Sequence, residues 1–74
     1  MRFPTERELE ALRKQYPPGT KVRLLQMDDD PRPIPPGTEG VVKWVDDAGS
    51  VHTSWQNGSG LAFIPGKDRV EIIE

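Results

Sequence analysis

The only side chain here that could serve as a general base near neutral pH is His52, the one histidine in 74 residues that include no cysteine. Nucleophilic catalysis needs a serine, threonine or cysteine beside such a base, and a third group to hold the base. Alternation along Val51-His52-Thr53-Ser54-Trp55 turns His52 to the outer side of a strand, which predicts a solvated surface histidine. Carboxylates gather twice, at Asp28-Asp29-Asp30 and at Asp46-Asp47. Both runs read as turns, where aspartate accepts hydrogen bonds from backbone N–H groups. An acid–base pair needs burial to separate its two pKa values, and neither run has an apolar setting. One histidine without cysteine rules out the common zinc sites. The Asp28–Asp30 run lacks the spaced oxygen ligands and closing glutamate of a calcium loop. The expectation is a protein that is not an enzyme and uses no metal or cofactor.

Binding chemistry is better represented. Strand alternation places Lys21, Arg23, Lys43, His52 and Ser54 on the outer sides of three consecutive strands, with Trp44 beside them. Basic groups around an aromatic ring are what a single-strand nucleic-acid site uses. The formal net charge of −2, from 10 basic and 12 acidic side chains, opposes that use. A dedicated nucleic-acid module carries a strong positive balance. The segment PRPIPPG, residues 31–37, is a second candidate, because polyproline-II segments are pre-ordered ligands for aromatic grooves. Its ordinary role is a long loop braced by its prolines. The candidate binding surface is therefore Lys21, Arg23, Arg32, Ile34, Lys43, Trp44 and His52. The leading expectation is a non-enzymatic adaptor that contacts an unknown protein through the proline-rich loop and the adjoining barrel face. Weak nucleic-acid binding through the basic and aromatic outer face is the alternative.

The elements that position these residues can be read in order. Residues 5–16, TERELEALRKQY, predict a helix: Thr5 and Glu8 have capping-box spacing, acids lie early and bases late. Leu9, Leu12 and Tyr16 form an apolar stripe through which so short a helix has to dock. Whether that stripe covers Trp44 or leaves it exposed is open, with covering favoured. Pro17-Pro18-Gly19 ends the helix. Strands follow over 21–27, 40–45, 51–55, a short one through Leu61 and Phe63, and 70–73. Asp46–Gly49 and Asn57-Gly58 supply hairpin turns. In the second strand the apolar residues fail to alternate, so a bulge is expected, with Val42 and Val45 inward and Trp44 outward. PPGT occurs at 17–20 and again at 35–38, which reads as two similar strand entries.

Together these elements predict one domain over residues 1–74: a mainly β, small SH3-like five-stranded antiparallel barrel (20–73) with one N-terminal helix (5–16). The expected core is Val22, Leu24, Val42, Val45, Val51, Trp55, Leu61, Phe63, Val70 and Ile72. No run of residues is apolar and long enough to span a bilayer, and no membrane association is expected. The lack of cysteine suits a soluble cytoplasmic protein. A monomer is expected.

Met27-Asp28-Asp29-Asp30-Pro31, the second PPGT, Val45-Asp46-Asp47, Trp55-x-Asn57-Gly58-Ser59 and Ile64-Pro65-Gly66 carry a family resemblance. Over about residues 12–73 the chain resembles a family of short bacterial and phage-associated proteins classed as a domain of unknown function. The resemblance brings a fold expectation and no activity. More distantly, Gly37-x-x-Gly40-x-Val42-x-x-Val45 is similar to the loop-and-strand pattern of KOW-type barrels in ribosomal and transcription proteins.

Overall fold

The computed structural model describes residues 4–27 and 31–74, so the turn expected at Asp28–Asp30 lies outside the described residues. Helix α1 spans Glu6–Gln15, between an N-cap at Thr5 and a C-cap at Tyr16. The Thr5 hydroxyl accepts from the Glu8 N–H at 3.2 Å, and the Glu8 carboxylate accepts from the Thr5 N–H at 2.9 Å. The capping box satisfies two donors that the helix itself leaves open. Leu9 and Tyr16 are buried, and Leu12 packs against the core. Replacing Thr5 by alanine is expected to cost about 1 kcal/mol. Urea unfolding measures it; an unchanged midpoint would show that packing alone sets this helix end.

Strands β1 (Lys21–Gln26), β2 (Glu39–Val45), β3 (Val51–Trp55) and β4 (Arg69–Ile72) form one antiparallel sheet in the order β3-β2-β1-β4. The strand expected through Leu61 and Phe63 is reduced to one bridge. Phe63 exchanges both backbone hydrogen bonds with Val51, at 2.8 and 3.0 Å. Its neighbours are already engaged. The Leu61 carbonyl accepts from the Trp55 indole at 2.8 Å and the Leu61 N–H donates to Ser59 Oγ at 3.1 Å, while Pro65 on the other side has no N–H to give. With those groups taken, a ladder cannot extend. The described residues thus make a four-stranded open sheet in place of the expected five-stranded closed barrel.

The PPGT echo reaches further than two strand entries. Gly19 and Gly37 both take positive φ, at 94° and 91°, which glycine adopts without a Cβ penalty. Thr20 and Thr38 each return a hydroxyl to the carbonyl of the first proline of their own copy, at 2.6 and 2.7 Å. Each turn then clips the other strand. Gly19 N–H and Thr20 C=O bond Val42, while Gly37 N–H and Thr38 C=O bond Leu24. A register shift follows each clip, between Val42 and Trp44 and between Leu24 and Gln26. Residues 17–27 and 35–45 are related by a local pseudo-two-fold between β1 and β2.

The inner face carries the core, in which Val22, Leu24, Val51, Thr53 and Phe63 are fully buried. Tyr16 and Trp55 meet Phe63 edge-on, with ring centroids 5.3 and 6.3 Å away. Leu61 and Val70 are only partly buried. Ile72, expected in the core, is 46% exposed. It pairs with buried Val22, yet β4 has no further strand among the described residues to shelter it.

Candidate functional site

The bulge in β2 sets the geometry of the outer face. Pairing passes from Val42 opposite Thr53 to Trp44 opposite His52, which leaves Lys43 as the extra residue. Val42 and Val45 therefore point inward and are buried, while Trp44 turns outward and stays 52% exposed. Its indole stacks on the His52 ring with centroids 4.2 Å apart and planes 6° from parallel. The expectation that α1 covers Trp44 is corrected. The helix joins the core through Tyr16, and Arg13 fixes it to the β2–β3 turn by bonds to the Val45 carbonyl and Asp47 Oδ1, at 3.3 and 3.0 Å.

His52 is held on its edge as well as its face. Nε2 lies 2.8 Å from Asp46 Oδ2. The other oxygen of Asp46, Oδ1, accepts from the Ala48 and Ser50 N–H groups at 3.0 and 2.9 Å. Asp46 thus closes the hairpin turn and anchors the imidazole together. Burial pushes its carboxyl up, but the bonds from His52, Ser50 and Ala48 outweigh that and hold it below the ordinary aspartate range. A carboxyl lowered in the folded state contributes stability above its unfolded pKa of about 3.9, and that stability is lost as pH falls through the folded value. Acid unfolding should therefore show a loss below about pH 4 that is smaller in Asp46→Asn. Equal acid slopes in urea titrations of the two proteins would count against this linkage.

The basic residues expected to make a cationic patch are largely neutralised. Arg23 bridges Glu71 at 2.6 Å and Glu39 at 3.3 Å, joining β4, β1 and β2 across the outer face. Those two carboxylates push its guanidinium pKa further up. Lys21 lies 3.5 Å from Glu74. Lys43 is exposed at the bulge and forms no ion pair among the described residues.

The structure separates the seven candidate residues into two groups. Lys21, Arg23, Lys43, Trp44 and His52 share the outer side of the sheet. Arg32 and Ile34 belong to the loop beyond the opposite end of the β1–β2 pair. Five residues of β2 from Trp44 to Glu39 span about 16 Å at ~3.3 Å each. Arg32 is exposed, but Ile34 is 2% exposed, with its N–H 3.5 Å from Met27 Sδ. Ile34 is a core plug and is unavailable to a partner, which corrects its place on the candidate surface. Its burial was hidden by the prolines around it, which break every periodicity a core residue usually shows.

Sequence reasoning missed Asp46 as the partner of His52, because a hairpin turn brings them together across six positions. It also missed an open groove of about 540 Å³ lined by Pro4, Leu12, Gly49, Ile64 and Pro65. Those residues come from three separate segments.

A mainly β domain with one capped helix, and a sheet with one face that no described element covers, is the class these observations define. The family model described as "Domain of unknown function (DUF4314)" matches residues 5–73, and the chain belongs to that family. No curated protein and no solved structure matches the chain. Among the described residues, no helix is long and apolar enough to cross a membrane.

Proposed function

We propose that this chain is a non-enzymatic binding module that takes a protein partner on the outer sheet face around Trp44. The observation that carries this reading is the indole itself, 52% exposed on a bulge and stacked against His52. Tryptophan dominates the energetics of protein interfaces, and a ring held in place before binding loses little entropy when it binds. Val41, 40% exposed on the same strand, extends the apolar area. Glu39, Arg23 and Glu71 form a paired polar margin. The proline-rich loop, plugged into the core by Ile34, serves as a brace for the fold in this reading. The sheet face, in place of the loop, is then the surface offered to the partner.

The nucleic-acid alternative is weaker. Arg23 and Lys21 both have carboxylate partners, so few cations remain to displace counterions from a phosphate chain. A photo-cross-linking amino acid at position 41, 54 or 10 tests the reading in cells with Trp44 in place. One defined protein should cross-link from 41 and 54, which pair on the outer face, and not from helix position 10. Cross-linking to nucleic acid, or equal labelling from all three sites, would overturn it. Amide shifts on titration with short DNA and RNA that fade with added salt would favour the alternative. Trp44→Ala should cost about 1 kcal/mol or less in stability, so loss of cross-linking from 41 in that variant reports binding and not unfolding.

A further inference from the structure

We infer that His52 is a proton-operated clamp on the Trp44 surface, so that partner binding at this face depends on the protonation state of one imidazole. The inference rests on the reading of Trp44 as the binding surface, and it adds the regulation of that site.

The ring is held by two different groups in two different directions. Trp44 covers one face at 4.2 Å, and Asp46 Oδ2 faces Nε2 at 2.8 Å. A protonated ring donates from Nε2 to the carboxylate as a charge-assisted bond, and it offers the indole a cation to stack on. A neutral ring protonated at Nε2 keeps the bond without the charge. A neutral ring protonated at Nδ1 instead presents a lone pair to the carboxylate and is pushed away. Proton binding therefore tightens both contacts together, and proton loss loosens both, because the bond to Asp46 loses its charge and the indole loses its cation.

The surroundings leave His52 as the group that operates the clamp. From β2, Lys43 is the neighbouring cation, one residue before Trp44. From the β2–β3 turn come Asp46 and Asp47. Arg13 of α1 takes Asp47 at 3.0 Å, which leaves Asp46 as the carboxylate joined to the ring. On its own strand, Val51, Thr53, Ser54 and Trp55 bring no acidic or basic side chain, and residues 61–64 on the other side of β3 bring none either. Asp46 cannot swing away freely, since its other oxygen holds two backbone N–H groups of the turn.

The test is a proton titration by NMR of the whole chain from pH 5 to 8, reading the His52 ring protons and the Trp44 indole N–H. Trp55, buried with its indole bonded to Leu61 O, is the internal control. The expected result is a Trp44 transition with the same midpoint as His52, and a flat Trp55. In His52→Asn, which keeps a polar side chain but cannot titrate, the Trp44 transition should vanish while the amide spectrum stays folded. A Trp44 signal that stays flat while His52 titrates, or a transition surviving in His52→Asn, would overturn the clamp. The cross-linking at position 41, which leaves Trp44 and His52 in place, is repeated at pH 5.5 and 7.5 and separates the two claims. Equal yield at both pH values defeats the regulation and keeps the binding face. No cross-link at either pH defeats the face and with it the regulation.

Discussion

Phe63→Ala should remove a large part of this domain's stability. Phe63 is fully buried and takes Tyr16 and Trp55 on two sides of its ring. It is the contact through which the C-cap of α1 and the last residue of β3 share one core. Truncating a buried phenylalanine costs about 3–5 kcal/mol, from lost transfer energy plus the cavity left behind. A chain of this length has roughly 4–11 kcal/mol of total stability at 0.05–0.15 kcal/mol per residue. The loss is therefore a large part of the whole. For a domain of this size each kcal/mol moves the melting temperature by about 4–8 °C, so a fall of more than about 12 °C is expected by calorimetry. The aromatic contacts argue for a graded series. Phe63→Leu keeps most of the volume and loses the edge-on ring pairs, and it should fall between wild type and alanine. A Phe63→Ala protein melting within a few degrees of wild type would show that Phe63 does not organise the core.

How much of this was legible in the sequence depended on whether a residue obeyed a local rule. The helix was, because Thr5, Glu8 and the Leu9-Leu12-Tyr16 stripe are fixed by spacing alone. The bulge was too: Val41-Val42-Lys43-Trp44-Val45 cannot alternate, and only an extra residue puts Val42 and Val45 on one face. What failed was set by tertiary competition. Leu61 alternates as a strand residue should, but its carbonyl is claimed by the Trp55 indole, so the ladder stops at Phe63. Ile72 alternates correctly as well and pairs with a buried residue, yet exposure depends on whether a further strand covers it. Ile34 was the opposite case, a core residue set among prolines. The PPGT echo was visible as four letters. Its real extent, a matched clip and bulge in β1 and β2, lies in hydrogen bonds between the copies. The candidate site divided along the same line. The outward turn of Trp44 followed from the bulge, but the neutralisation of Arg23 by Glu71 and Glu39 joins three strands and has no local signal.

Gly40→Val should be the second severe lesion, and for the reverse reason, since it adds atoms where none fit. Gly40 lies on the inner side of β2, opposite Trp55. A Cβ there would stand 2.7 Å from Thr53 Cγ2, 2.7 Å from Trp55 Cε3 and 3.0 Å from the Ser54 carbonyl, well inside the 3.5–4.0 Å optimum between carbon atoms. None of these neighbours yields easily. Thr53 and Trp55 are themselves buried, and Trp55 is tied by its indole to Leu61 O. Alanine alone should cost about 1–3 kcal/mol by overpacking. Removing a strand glycine returns roughly 0.5–1 kcal/mol of backbone entropy, which is too little to reverse the sign. Valine adds two further methyl groups and should cost more than alanine. The clash is specific enough to be tested by a cycle. Thr53→Ser deletes Cγ2 but keeps the hydroxyl that bonds the Val51 carbonyl at 3.2 Å. Gly40→Ala combined with Thr53→Ser should therefore be less destabilised than the sum of the two single changes, because residues in contact do not add. Strict additivity in urea unfolding would mean that Cγ2 is not what excludes a side chain at position 40. The indole of Trp55 would then be the obstacle, and its near-ultraviolet dichroism should change in Gly40→Ala.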